Sequence, residues 1–291
     1  GVDVQLTTSG FAEEIPGTHQ IMPIQDPELD CGDRAPKPVF QFNTDAYVSS
    51  KAFPGVQARI ATDGYIRDKR VLFLEIFPVQ YTPASGLLTV IPDMTVTVSW
   101  TGTPDARVMA DRVRLSSPVF DNFTSRFIAN DLKLQQNENI ARDKEGQRDS
   151  RNGADYLIIT ADQFTDELLP LVEWKTLKGL KVRVATLSEV GGSSSSAVQN
   201  YLQNAFDTWN PAPVWVLLVG DVGQMPSTSV SPDAYGNSFP SDLPYTKLAG
   251  NDYFPDIFLG RFSVQTESQC TDVVNKVLSY DRVPEVADWY N

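Results

Sequence analysis

One histidine and two cysteines in 291 residues leave little of the chemistry that relies on imidazole and thiol. A zinc site of the Cys/His type cannot be assembled from them, and two cysteines do not make a disulfide framework. Long apolar runs are missing too. No stretch approaches the roughly 20 residues that a membrane helix needs, and no basic start leads into an apolar signal core. The chain is also poor in positive charge, with 24 Lys and Arg against 37 Asp and Glu and a net charge of −13. Such a surface repels phosphate backbones and anionic lipid, so neither nucleic acid nor a membrane is an expected partner. It suits a secreted protein, or one that binds divalent cations.

What is present has two periodicities, as a length sufficient for two cores allows. Up to about residue 115 the pattern is β. Val39–Asn43, Val56–Ala61, Arg70–Phe77, Gly86–Ile91 and Met94–Trp100 alternate or run apolar, and turn residues such as Asp63-Gly64 and Pro83-Ala-Ser-Gly86 separate them. Short strands punctuated in this way predict an antiparallel β-sandwich. Residues 132–153 are almost wholly polar and cannot bury enough apolar area to offset ordering, so they read as a linker, which carries Arg142, Arg148 and Arg151.

After Gly153 strands alternate with helices. Tyr156–Ile159, Lys181–Ala185, Val214–Val219 and Ile257–Leu259 read as strands. Between them lie helical stretches at Phe164–Leu177, interrupted by Pro170 and stopped by Gly179, and at Val198–Trp209, where the apolar stripe follows possible serine caps at 193–196. Gln265–Tyr280 is the last helix. Its stripe Cys270, Val273, Val274, Val277, Leu278 makes Cys270 a buried core thiol, while Cys31, in Leu29-Asp-Cys-Gly-Asp33, falls in a loop. Alternation predicts a parallel sheet covered by helices on both faces. The domains expected are therefore 1–131, a linker at 132–153, and 154–291.

Carboxylates are expected to collect where a parallel sheet presents its ligand crevice. Val214-Trp-Val-Leu-Leu-Val-Gly-Asp221 ends in one, and Ala249-Gly-Asn-Asp-Tyr-Phe-Pro-Asp256 carries two, four residues apart, with carbonyls between them. Calcium takes six to eight oxygens, including main-chain carbonyls, and such a loop offers several. The competing reading makes Asn251 and Asp252 turn formers and Asp256 a solvated loop acid. Asp221 also stands where receiver domains accept phosphate, but those need an acidic pair after the first strand, and only Asp162 follows Tyr156–Thr160.

These motifs resemble the gingipain-like cysteine peptidases of family C25. Ile76-Phe-Pro-Val-Gln-Tyr-Thr-Pro-Ala-Ser-Gly-Leu-Leu88 with Thr95–Trp100 is similar to the propeptide domain of that family. Gly153–Thr160, Lys178-Gly-Leu-Lys-Val182, Leu217–Asp221, Ser241-Asp242 with Tyr245, Gly250-Asn-Asp252 and Gly260-Arg-Phe-Ser263 are similar to the first half of its catalytic domain. The resemblance implies a three-layer, caspase-like or gingipain-like α/β half-domain behind a sandwich prodomain. It also implies a secreted zymogen released at Arg148 or Arg151, with Arg142 in reserve, and intramolecular contact of the prodomain. It further implies calcium at the carbonyls of Ala249 and Phe254 and the side chains of Asp252 and Asp256, with Asp221 in a further, incomplete site. The catalytic histidine and cysteine of the family lie in a second half, which also forms the pockets for peptide or protein substrates. His19, Cys31 and Cys270 do not match them, so no catalytic residue is expected here and the chain alone should be inactive. The alternative is a non-catalytic C25-like module for secretion or adhesion.

Overall fold

Threonine and valine alternate through Thr95–Val98, and Val4, Leu6 and Thr8 alternate with polar neighbours near the N-terminus. Side chains on a strand point to opposite faces in turn, so each segment offers one apolar face. In the computed structural model, which describes residues 3–25, 39–103, 114–130, 153–230 and 238–284, these segments pair. Strand β1 (Asp3–Ser9) lies antiparallel to Thr95–Thr101 with Leu6 opposite Val98 and Thr8 opposite Val96, all four half-buried on the shared face. The chain divides into two units, the first holding residues 1–62 and 72–104 and the second residues 63–71 and 105–291.

Within the first unit β2 (Glu13–Ile15) pairs with Leu87–Val90, which in turn pairs with Val79–Thr82, all antiparallel. In chain order the remaining strands are β3 (Ala58–Ile66), β4 (Lys69–Ile76), β5 (Val79–Thr82), β6 (Leu87–Val90) and β7 (Thr95–Thr101). The turn at 83–86 closes on Gly86, whose φ of +64° is left-handed and favours glycine. Two expectations fail here. Val39–Asn43 forms no strand, because the Asn43 side chain accepts from the Ala46 N–H and starts a one-turn helix, α1 (Thr44–Tyr47). Asp63-Gly64 is no turn either. It lies inside β3, and the chain reverses at Arg67-Asp68, so the hairpin tip falls in the second unit.

The second unit is built on four parallel strands in the order β13-β10-β8-β9, where β8 is Tyr156–Thr160, β9 Val182–Thr186, β10 Trp215–Val219 and β13 Phe258–Phe262. Ile158 is level with Leu217 on one side and Val184 on the other. Leu157, Ile158, Ile159 and Val216 to Val219 are all buried, as strands covered on both faces must be. A small hairpin of β11 (Thr228–Val230) and β12 (Phe239–Ser241) was not expected, and neither was α2 (Pro118–Thr124).

Two short 3-10 turns precede α3 (Leu169–Leu177), which places Pro170 in its first turn, where no intrahelical N–H is needed, and so leaves no kink. The one-turn α4 (Leu187–Val190) ends on left-handed Gly191. The caps of the long helices are local chemistry. Ser194 Oγ accepts from the Ala197 N–H to begin α5 (Ser195–Thr208), and Thr266 caps Gln269 at the start of α6 (Glu267–Arg282). Val198, Leu202, Ala205 and Phe206 of α5, with Cys270, Val274 and Leu278 of α6, join one core with the strands.

Candidate functional site

Parallel α/β sheets bind ligands outside the carboxyl ends of their strands. At that end β10 leaves through Gly220, with φ +130°, into Asp221. The Asp221 N–H donates to Val264 O (2.8 Å), and Gln265 Nε2 donates to Asp221 Oδ2 (2.8 Å). That bond from Gln265, aided by the Val222 N–H and the charge of Arg261, holds the half-exposed carboxyl below the usual range. The loop behind it hangs on Arg261 of β13. This guanidinium donates to both oxygens of Asp242 (2.7 Å each) and to the carbonyls of Gly220 and Met225 (2.8 Å each). Burial pushes the Asp242 carboxyl up, but Arg261 and Ser227 outweigh it and leave its pKa lowered. Arg261 thus fixes the exit of β10.

The four loop residues expected to hold calcium lie at the opposite, N-terminal end of the sheet, before β13, so they do not meet Asp221. Asp256 is fully buried, which corrects its reading as a solvated loop acid. Its Oδ1 accepts from the Arg67 N–H (2.6 Å), and its Oδ2 from the N–H groups of Leu248 and Ala249 (2.7 Å each). Burial still prevails over these three donors and pushes its pKa up to about 6. Asp252 does act as a turn former, its Oδ1 accepting from the Phe254 N–H (2.7 Å), while Oδ2 accepts from the Tyr65 N–H (2.8 Å). The fit to a cation is therefore partial. Asp252 retains exposure and could join the carbonyls of Ala249 and Phe254, whereas Asp256 is sealed among N–H donors. Among the described residues no three His, Cys, Asp or Glu side chains gather around a point.

Neither placed sulfur nor imidazole fits nucleophilic catalysis. Cys270 is buried, and burial with nearby Glu167 pushes its thiol up to about 11, away from the thiolate that attack requires. His19 is held in the first unit, its N–H on Gly86 O and its ring nitrogen 3.4 Å from Ile15 O. Cys31, Arg142, Arg148 and Arg151 lie outside the described residues.

Sequence reasoning missed the residue that ties this end of the unit together. Arg67, 2% exposed and at φ +58°, donates from Nε to Leu115 O (2.5 Å), from Nη1 to Pro213 O (2.7 Å) and Asp256 O (3.0 Å), and from Nη2 to Ala212 O (2.8 Å). The rings of Phe120 and Phe206 lie 5.3 and 5.7 Å from it. Lys69 bonds Thr124 Oγ1 (2.7 Å) and pairs with Asp121 (2.9 Å). The available signal was the run of four charged residues Arg67-Asp68-Lys69-Arg70 between two apolar runs.

Two family models match successive parts of the chain. The C25 propeptide family model matches residues 31–123, and the peptidase family C25 model matches residues 149–291. Gingipain R1 of Porphyromonas gingivalis is 22% identical over 285 residues, 96% of this chain and 26% of that protein. Lys-gingipain HG66 of the same organism is 27% identical over 274 residues, 91% of this chain and 15% of that protein. The chain thus spans about a quarter or less of the length of these relatives. The solved complex of the pro- and mature domains of Porphyromonas gingivalis RgpB aligns at 23% identity and a TM-score of 0.39, over 43% of this chain and 28% of that one.

Proposed function

The chain belongs to peptidase family C25, and from that premise we propose that it is the proregion and first catalytic subdomain of a secreted gingipain-like cysteine endopeptidase. The observation that carries this is the succession of a propeptide match and a peptidase match along one chain. In this reading the sheets of the first unit stack as a sandwich. The parallel sheet is one half of a three-layer catalytic domain, with the domains bounded at 1–131, 132–153 and 154–291. Substrates are peptides or proteins, bound through a second half that brings the histidine base and the cysteine nucleophile.

What this chain's own residues do is positional. Arg261 and Asp242 fix the loop at the carboxyl end of β10 that faces the crevice, and Gln265 orients Asp221 there. The chain alone is inactive, since its single histidine and buried Cys270 cannot form the pair that thiol attack needs. The test compares this 291-residue protein with the full gene product on peptide substrates with and without thiol. Thiol-dependent hydrolysis by the 291-residue chain overturns the half-enzyme reading. Hydrolysis by neither favours a non-catalytic secretion or adhesion module.

Calcium is the ion we propose for the 249–256 loop. The support is its hard oxygens and the family resemblance, with Asp252 and the carbonyls of Ala249 and Phe254 as holders and Asp256 as their buried brace. A bound ion stabilises the unit by linkage, so millimolar calcium should raise its melting temperature relative to chelator. An unchanged melt leaves Asp252 and Asp256 with their backbone contacts alone.

A further inference from the structure

We propose that the N-terminal ends of β10 and β13 form a socket for a guanidinium carried on a β-hairpin, filled in cis by Arg67. Four main-chain carbonyls converge on one side chain that is almost fully buried, and two aromatic rings flank it. A planar fork with five donors fits such a ring of carbonyls; an ammonium, a compact point charge, does not. The tip is also held at several points. Ile66 packs on Phe120 and Val214, the Tyr65 N–H reaches Asp252, the Arg67 N–H reaches Asp256, and Lys69 reaches Asp121 and Thr124. A non-glycine residue at φ +58° is uncommon, and the surroundings here over-determine it.

The socket's members divide unevenly along the chain. Leu115 and Phe120 fall in the propeptide-matched segment, whereas Ala212, Pro213, Asp256 and Phe206 fall in the peptidase-matched segment. Three of the four carbonyl contacts therefore bridge any cut made between residues 131 and 152. The socket sits at the end of the sheet away from Asp221, so it acts as an anchor for the propeptide and not as a plug of the crevice. Retention after cutting deepens the zymogen reading and rests on it.

The experiment separates the two. A foreign protease site placed between residues 131 and 152 of the full chain lets the cut be made whether or not Arg148 and Arg151 are natural sites. After cutting, the wild-type pieces should co-elute. Arg67→Lys should speed their dissociation by about tenfold or more, because it leaves buried carbonyls unpaired, while Arg59→Lys, an exposed pair with Glu75, should not. If Arg67→Lys does not fold, the cut wild type is challenged with a cyclised Tyr65–Lys69 hairpin peptide, which should displace the propeptide, and with its lysine counterpart, which should not. Wild-type pieces that separate at once, an Arg67→Lys pair as durable as wild type, or displacement by both peptides alike overturns the socket. Failure of natural cutting with the socket intact overturns only the zymogen reading.

Discussion

Replacing Asp68 by Asn should stabilise the second unit at neutral pH, and the gain should vanish in acid. Asp68 follows Arg67 in the hairpin turn and is 8% exposed, and neither of its carboxylate oxygens has a hydrogen-bond partner among the described residues. Burial pushes its pKa above the ordinary 3.8, the Asp121 carboxylate adds to the push, and Lys69 and Arg67 pull back only in part. A folded-state pKa above the unfolded one means that the folded protein binds the proton more tightly. The stability Asp68 allows is then full below the unfolded pKa and is lost as pH rises through the folded one. Above that folded value the ionised side chain costs stability. Asn is close in shape to the protonated acid and carries no charge.

The magnitude follows from the missing partners. A buried polar group left unsatisfied costs about 1–3 kcal/mol and more when it is charged, so Asn, which keeps polar atoms there, recovers only the excess due to the charge. If Asn recovers about 1–2 kcal/mol of it, the melting temperature of a unit this size rises by about 2–8 °C at pH 7.5. Thermal melts of wild type and Asp68→Asn followed by tryptophan fluorescence should show that rise, and no rise near pH 3.5. A less stable variant at pH 7.5, or an equal gain at both pH values, refutes the reasoning.

Other expectations can be measured directly. The Asp242 carboxyl, depressed by Arg261, contributes stability that is in place above the unfolded pKa near 3.8 and is lost as pH falls through its lower folded value. Asp242→Asn should therefore cost about 1–3 kcal/mol in urea at pH 7 and progressively less as pH falls below about 3.8. Cys270, with its thiol pushed up to about 11, should resist alkylation in the native protein at pH 8 and react fully only after denaturation; stoichiometric native labelling contradicts its burial. In the full gene product, Arg148→Ala with Arg151→Ala should leave an uncut precursor, and N-terminal sequencing of a normally matured double variant defeats the assignment.

Local patterns carry the parts of this fold that depend on near neighbours. The stripe from Val198 to Trp209 and the cap at Ser194 give α5 without reference to anything distant, and Pro83 to Gly86 give the β5–β6 turn. The same holds for the run of buried strands in the second unit, since a strand covered on both faces has no polar alternation to confuse it. Scarcity was legible too: one histidine and a Cys270 on an apolar stripe already argued against a catalytic pair, and the thiol is indeed buried. The four loop positions at 249–256 were identified as a group, but whether their oxygens faced water, metal or N–H groups was not written in the loop.

Only the tertiary structure decided the rest, because the deciding contacts join residues far apart in the chain. By sequence, Asp63-Gly64 is the better turn, yet the reversal occurs at Arg67-Asp68, where a left-handed backbone is held by carbonyls at 115, 212, 213 and 256. By sequence Asp256 is a calcium ligand or a solvated loop acid, and only the fold shows Arg67, Leu248 and Ala249 bringing three N–H groups onto it. Composition and period gave the strands and long helices of the parallel-sheet unit, but not β1, β2, α1, α2 or the β11–β12 pair. The hairpin's register, and with it the burial of Arg67, depended on a socket that exists only once residues up to 189 positions away have folded around it.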